Sequence, residues 1–462
     1  MNEQEREKTM DLREAILTQP MRRFQLGMIA LCIVLCMIDG YEVLVMAFVA
    51  PHVAKAWSLG PVEVGYLLSA GIFGMAIGAT FISPLADRIG RRRHIILCLS
   101  LIIIGMGLSA VATDLWQLVA FRAFAGLFIG AVISSLNIIV SEYSSDARRG
   151  TVMGIYGMGL PAGVAMGGAL TNPLIAEFGW RAPFVFGAVL TALSLLWVLV
   201  ALPESIEYLI ENAPDGALEQ YNKIAVKLGY PPAKALPAPL ESQEMHVASK
   251  ALFSGIMLPR TALLWLGYAS LTAAFYFANT WTAKLIADAT GNAALGGRTG
   301  VLIAIGGVLG SLLFAGLTLV IRPRVVTALI MFAGSLAYTL FANNFNDAGL
   351  AVVLALAVGA CANGGLAAFY AISPFIYPTS VRGTGVGLMI GFGRGVAIIA
   401  PIFTGYLLKS AWTPQDIYQF FAAVLIVAGI AVLLLDRTYW GLTENPDLPP
   451  DTPKGAEHQA AH

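Results

Sequence analysis

The sequence predicts an all-α integral membrane fold of twelve transmembrane helices arranged as two six-helix bundles. Three observations carry this expectation. The chain is 57% hydrophobic and only 12% charged, whereas an average soluble domain is about 25% charged. Twelve apolar stretches occupy roughly 24–49, 61–84, 94–113, 115–140, 150–175, 181–202, 261–286, 297–321, 325–344, 348–376, 384–408 and 416–436, each able to cross a hydrocarbon core of about 30 Å. The longest polar interval, 203–259, carries Pro231, Pro232, Pro237 and Pro239 and divides the spans six and six. The expected organisation is a cytoplasmic segment 1–23, a first bundle 24–202, a linker 203–259, a second bundle 260–436 and a cytoplasmic tail 437–462.

Orientation follows from lysine and arginine. Arg22, Arg23, Arg88, Arg91, Arg92, Arg93, Arg148, Arg149, Arg322, Arg324, Arg382 and Arg437 all fall on one side of the alternating spans, which places both termini in the cytoplasm. The formal net charge is zero, and no basic face points to nucleic acid. Cys32, Cys36, Cys98 and Cys361 lie within apolar segments without metal-ligand spacing and read as core residues. The polar start of the chain does not read as a cleaved signal, so the first span is expected to stay.

The first span contains the quartet Asp39-Gly40-Tyr41-Glu42 near its middle. The two acids are three residues apart and share a helix face. A carboxylate at bilayer depth costs about 2.5–3.5 kcal/mol or more, and two close ones hinder each other's ionisation, which is the property a reversible proton site needs. The alternative is a capped kink, with Gly40 loosening the helix and Asp39 bonding freed backbone. Arg122 in span 4 reaches a comparable depth, so a buried arginine–carboxylate pair is expected; snorkelling to the far surface is the alternative. Gly126 and Gly130, on the same span, should admit a neighbouring helix closely.

The halves echo each other. R-G-T-x-x-G opens span 5 at Arg149 and span 11 at Arg382, as in a parallel repeat with a site near the midplane. The loop after span 2 reads Pro84-Leu85-Ala86-Asp87-Arg88-Ile89-Gly90-Arg91-Arg92-Arg93, similar to the inner-loop signature of the major facilitator superfamily. Arg122 with Gly126 resembles its span 4 signature. The finer resemblance, over roughly residues 20–440, is to the aromatic acid:proton symporter family. It rests on Asp39-Gly40-Tyr41-Glu42 against D-G-x-D, with glutamate replacing the second aspartate. It rests also on Tyr377-Pro378-Thr379-Ser380-Val381-Arg382-Gly383-Thr384-Gly385-Val386, Gly391-Phe392-Gly393-Arg394, Leu202-Pro203-Glu204-Ser205 and Ser141-Glu142-Tyr143. The resemblance implies a proton-coupled importer of an aromatic carboxylate in the bacterial cytoplasmic membrane, acting as a monomer, with protons as coupling ion and no other cofactor.

Candidate residues follow. Asp39, Glu42 and Arg122 are assigned to proton coupling. Arg394, near mid-membrane in span 11, keeps its charge and must face water, an acid or a substrate anion; a fixed ion pair is the rival reading. Asn279, Tyr276, Trp281, Asn363, Phe369, Tyr370, Phe392 and Asn137 are the rings and amides that could hold a planar acid, with Phe275 and Phe277 beside them, although membrane helices also use aromatics for packing. Asp87, Arg91, Glu142, Arg149 and Arg382 form the expected gating and inner-loop set, with Glu142 placed in a network with Arg148 and Arg149. The loop around Arg322 and Arg324 carries no acid of its own. Lys284 and Asp288 read as a surface pair. His52 and His94 are expected at the membrane interfaces and receive no role. A proton-antiporting exporter on the same fold is the alternative; Gly159-Leu160-Pro161-Ala162-Gly163 lacks the glycine directly before proline that exchangers often carry. No H-E-x-x-H, nucleophile elbow or phosphate loop points to an enzyme.

Overall fold

The computed structural model describes residues 12–238, 252–345, 347–377 and 382–439. Parts of the expected terminal segments and linker, and Pro378 to Val381 of the motif before span 11, lie outside the described residues. Among the described residues twelve helices are long and apolar enough to cross a membrane. Spans 1–6 are Arg23–Trp57, Pro61–Ile82, Arg91–Val111, Leu115–Glu142, Asp146–Phe178 and Ala182–Ala201. Spans 7–12 are Met257–Thr290, Ala293–Leu317, Pro323–Asn343, Gly349–Phe375, Thr384–Lys409 and Pro414–Arg437. Odd spans start, and even spans end, on the side of the linker, here called the linker side.

Local chemistry sets several boundaries. Asp114 accepts from the amides of Trp116 and Gln117 at 2.9 and 3.0 Å and starts span 4. Thr413 and Asp416 form a reciprocal capping box that starts span 12. Span 1 runs well beyond its apolar stretch, through Pro51 to Trp57. The polar interval after span 6 is partly helical, with Ile206–Glu211 and Ala217–Lys227. The second of these buries Ala217, Tyr221, Ile224 and Ala225, an amphipathic spacing. A short helix, Leu12–Thr18, precedes span 1, and its Leu12 amide donates to Tyr221 Oη at 3.1 Å.

The chain forms two compact units. The first holds residues 12–45, 70–167 and 174–238; the second holds Met46–Ser69, Gly168–Pro173 and the described residues from 252 onward. In the first unit, a Cβ on Gly40 would collide with the Leu160 carbonyl, and one on Gly163 with the Met37 carbonyl. Glycine at both positions therefore lets spans 1 and 5 touch backbone to backbone. Gly126 and Gly130 meet span 2 at Gly71 and Met75 in the same way, as their spacing predicts. In the second unit the buried Tyr418 ring packs with Phe277, Phe341 and Tyr338. Within that unit the end of span 2 away from the linker meets span 11: Ser69 Oγ donates to the Ile398 carbonyl at 2.8 Å, and the hydroxyls of Tyr66 and Tyr406 lie 3.1 Å apart.

Large apolar side chains remain exposed along the spans, among them Phe81 (76%), Val200 (85%) and Leu313 (57%). Such a surface is stable in lipid and unstable in water, so this is an integral membrane protein.

The contact at Gly40 yields a prediction. Gly40→Val should force spans 1 and 5 apart at a cost of about 1–3 kcal/mol or more. The expected outcome is a lower melting temperature and poor monodisperse recovery in detergent; native behaviour in both would show that the close approach is dispensable.

Candidate functional site

Three residues of the quartet on span 1 meet spans 5 and 6 of the first unit. Gly40 faces span 5. Tyr41 donates its hydroxyl to the Pro183 carbonyl at 2.6 Å and sets its ring edge-on to Phe186, both on span 6. Glu42 accepts from the Thr191 hydroxyl, also on span 6. Asp39 is 2% exposed and Glu42 is fully buried. One oxygen of each, Asp39 Oδ2 and Glu42 Oε2, is buried without a hydrogen-bond partner. Leaving such a group dry and unpaired is costly in its charged form.

Arg122 is buried at the same place but does not make the expected arginine–carboxylate bond. Its Nη2 donates to the main-chain carbonyl of Glu42 at 2.6 Å, and its Nη1 lies 3.0 Å from Met106 Sδ. The Phe184 ring covers it at 5.7 Å. The reason is directional: the guanidinium reaches the backbone of span 1, while Thr191 holds the Glu42 side chain toward span 6. Arg122 therefore influences Glu42 through space, and the snorkelling alternative is excluded by its 1% exposure.

In the second unit, Arg394 lies half-buried in span 11 within electrostatic reach of Tyr276 on span 7. Tyr276 is in turn close to Tyr370 of span 10 and to Tyr268 of span 7. The Tyr268 and Tyr370 hydroxyls are 3.2 Å apart. Tyr370 is 43% exposed and Phe392 50% exposed, the latter stacked on Trp265 with centroids 5.4 Å apart. Tyr268 and Trp265 did not feature among the expected residues; Tyr268 sits two turns before Tyr276 on the same helix face, a spacing that could have marked it.

Other expected binding residues are committed elsewhere. Trp281 is fully buried and donates Nε1–H to the Pro401 carbonyl at 3.0 Å, pinning span 7 to span 11. Phe369 is fully buried against Gly267 and Tyr268, and Phe277 stacks on Phe421. These placements share one cause, since each ring lies on the side of its helix that packs against another helix. Asn279 and Asn363 donate to their own helices at the Phe275 and Gly359 carbonyls. Asn137 is exposed on span 4 of the first unit.

On the linker side of the first unit, Asp87 pairs with Arg91 at 3.1 Å. Glu204 accepts from the main-chain amides of Arg92 and Ser205, both at 2.9 Å. Arg92 donates to the carbonyls of Leu202 and Leu199, each at 2.7 Å. Gly90 adopts φ +96°, and a Cβ there would strike the Glu204 carboxylate, so glycine is required twice over. Glu142 accepts from Ser205 Oγ at 2.9 Å, whereas Arg149 pairs with Asp146 at 2.9 Å. The break between spans 4 and 5 at residues 143–145 stands between Glu142 and Arg149, and Arg91 acts on Glu142 electrostatically. A Cβ added at either R-G-T-x-x-G glycine of the first unit, Gly150 or Gly154, would meet open space. Arg382 is half-buried at the start of span 11. In the second unit the acid absent from the Arg324 loop comes from span 12, as Asp436 at 3.6 Å, with the Tyr439 ring between Arg324 and Arg260. Lys284 and Asp288 pair as expected, at 2.6 Å.

This combination of twelve spans and buried mid-span charges defines a membrane transporter. The profile of the Major Facilitator Superfamily matches residues 30–357, and the chain belongs to that superfamily, within the family of aromatic acid transporters. It is 30% identical to the 4-hydroxybenzoate transporter PcaK of Pseudomonas putida, over 92% of this chain and 95% of that one. It is 28% identical to the gallate transporter of Pseudomonas putida, over 92% and 94% of the two chains. Among solved structures, the inward open xylose transporter XylE from E. coli shares the fold with a TM-score of 0.66 and 13% identity, over 88% and 95% of the chains. The protein is a transporter and not an enzyme.

Removing Glu204 tests the linker-side network. Glu204→Ala leaves two main-chain amides without their carboxylate acceptor, a loss of about 1.5–3 kcal/mol. A melting temperature several degrees lower in detergent is expected; an unchanged one would mean that Glu204 contributes nothing to the linker-side structure.

Proposed function

We propose that the protein is a proton-coupled symporter that imports an aromatic carboxylate by alternating access. The observation that carries this reading is the pair of buried carboxyls on span 1, each with an oxygen lacking a partner. A proton relieves that unfavourable state, and its loss restores it, so the pair can take up and release protons as its surroundings change. The relatives named above, transporters of 4-hydroxybenzoate and gallate, support the substrate class.

The substrate side of the cycle belongs to the second half. An aromatic acid is ionised at neutral pH, and its carboxylate needs a fixed cation at bilayer depth. Arg394 supplies a planar fork able to bond both oxygens. Tyr276, Tyr268 and Tyr370 offer phenols for ring hydroxyls, and Phe392 an exposed face for the ring. The arginine distribution supports a linker side that faces the cytoplasm, and the bacterial relatives support the bacterial cytoplasmic membrane as the protein's location. A single chain is sufficient for transport, and protons are the only coupling species.

Two outcomes follow. Asp39→Asn keeps shape but removes titration, so uphill accumulation in proteoliposomes should fail while substrate exchange persists. Normal accumulation by both Asp39→Asn and Glu42→Gln would remove the pair from coupling. For binding, Arg394→Lys should weaken affinity for 4-hydroxybenzoate roughly ten- to hundredfold, since a charge-assisted bond is worth about 1.5–3 kcal/mol. Calorimetry decides this; native affinity in Arg394→Ala would move the anchor to another residue.

A further inference from the structure

The linker-side end of the second unit holds two arginines that the transport reading does not use. Arg260 on span 7 and Arg324 on span 9 are each 2% exposed. The ring of Tyr439, just past span 12, is seated on both, with the Arg260 and Arg324 Cζ atoms 3.6 and 3.9 Å from its centroid. Their hydrogen bonding differs. Arg260 donates from Nε to Thr438 Oγ1 and from Nη2 to the Thr438 carbonyl, both at 3.2 Å. Arg324 Nη1 lies 3.6 Å from Asp436 Oδ1, beyond hydrogen-bond length. Both Nη1 and Nη2 of Arg324 are buried without a hydrogen-bond partner. The aromatic face attracts the charge but offers no lone pair to those N–H groups.

The start of span 9 adds to the demand for an anion. Arg324 is the second residue of this 21-residue helix, and the N-cap, Arg322, makes no side-chain cap to the first turn. A helix start left this way presents partial positive charge and free amides, the combination that binds phosphate. Arg322 is exposed, as is Arg437 beside Asp436 at the end of span 12. The turn leading into span 9 carries Leu319 and Val320, 87% and 88% exposed. Leu329 and Leu336, seven residues apart on one face of span 9, continue this apolar exposed surface. Cations and a surface suited to hydrocarbon therefore adjoin at one helix end.

We infer that the linker-side ends of spans 7, 9 and 12 form a site for the phosphate group of an anionic phospholipid, with Arg324 as its central donor and Arg322 at its mouth. A buried guanidinium keeps its charge, and donors left dry are costly. Its planar fork matches two oxygens of a phosphate. Inorganic phosphate has the same chemistry. The lipid is the favoured source because Leu319, Val320 and Leu329 give acyl chains a surface beside the cations, and basic pockets between membrane helices collect anionic headgroups. The Arg324 Nη groups are covered, so the headgroup must displace what covers them, and the Tyr439 ring is the side chain seated there. Ring and headgroup therefore compete for one guanidinium. A brace of Arg324 against Asp436 and Tyr439 alone would leave both Nη groups unanswered.

The test titrates full-length protein in a neutral detergent and follows its melting temperature. The probes are phosphatidylglycerol, phosphatidylcholine and inorganic phosphate, at constant ionic strength. Phosphatidylglycerol should raise the melting temperature by several degrees with a saturable midpoint, and the other two should not. Arg324→Lys keeps the charge but loses the fork, and should raise the midpoint concentration roughly tenfold or more. Arg322→Gln, at an exposed position, should raise it by a smaller factor, and Tyr439→Ala should lower it. Lys234→Gln removes an exposed cation from the first unit and should titrate like the native protein. A native midpoint in both Arg324→Lys and Arg322→Gln would overturn the site. An equal weakening in Lys234→Gln would overturn it too, by showing diffuse attraction to surface charge. The same melting shift from inorganic phosphate would overturn the lipid assignment and give the site to the free anion.

Discussion

The structure depends on keeping two carboxyls dry in the middle of span 1. Water would stabilise them at once; here apolar packing takes its place, and only part of their bonding capacity is met. Glu42 has Thr191, and the positive charge nearest to it, Arg122, is turned to its main chain. The surrounding contacts serve this arrangement. Gly40 brings span 5 against span 1, and Tyr41 locks span 6 to it. In a low-dielectric site, small changes in packing or charge alter the balance between protonated and ionised forms strongly. The account of coupling rests on that sensitivity.

The linker side shows a related economy of charge. Gly90, Glu204 and Arg92 join the loop after span 2 to the end of span 6, and Ser205 ties in Glu142 from span 4. The second unit builds a counterpart from different parts, with Asp436 and Tyr439 from the end of span 12 receiving Arg324 and Arg260. The two halves therefore share the placement of buried arginines near loop ends without sharing the acids that meet them. A repeat can keep its architecture while its polar contacts diverge, because the helix packing needs only small residues and apolar surface.

Much of the fold is legible in the sequence because hydropathy and length decide spanning helices directly. Span ends are less so. Span 1 outruns its apolar stretch because His52 and Lys55 break the hydropathy without breaking the helix, and the helix Ala217–Lys227 sits in an interval whose polarity hides its four-residue apolar repeat. The mid-span charges stand out by their cost, so Asp39, Glu42, Arg122 and Arg394 are all visible from sequence. Their partners are not, since Thr191 and Met106, which meet Glu42 and Arg122, are ordinary residues distant in the chain. Aromatic candidates divide by helix face: Tyr276 lies within electrostatic reach of Arg394 and Tyr370 meets Tyr268 beside it, whereas Trp281 and Phe369 turn into the packing. Which face a ring takes follows from the neighbouring helices, which spacing within one span does not reveal.

The central claim is that substrate and proton move together, the acid with the second half and the proton with the first. It is tested most directly by following external pH while 4-hydroxybenzoate is added to lightly buffered proteoliposomes containing the wild-type protein. The account predicts alkalinisation outside in step with substrate accumulation, abolished by a protonophore. Accumulation without any pH change, or with acidification outside, would contradict it.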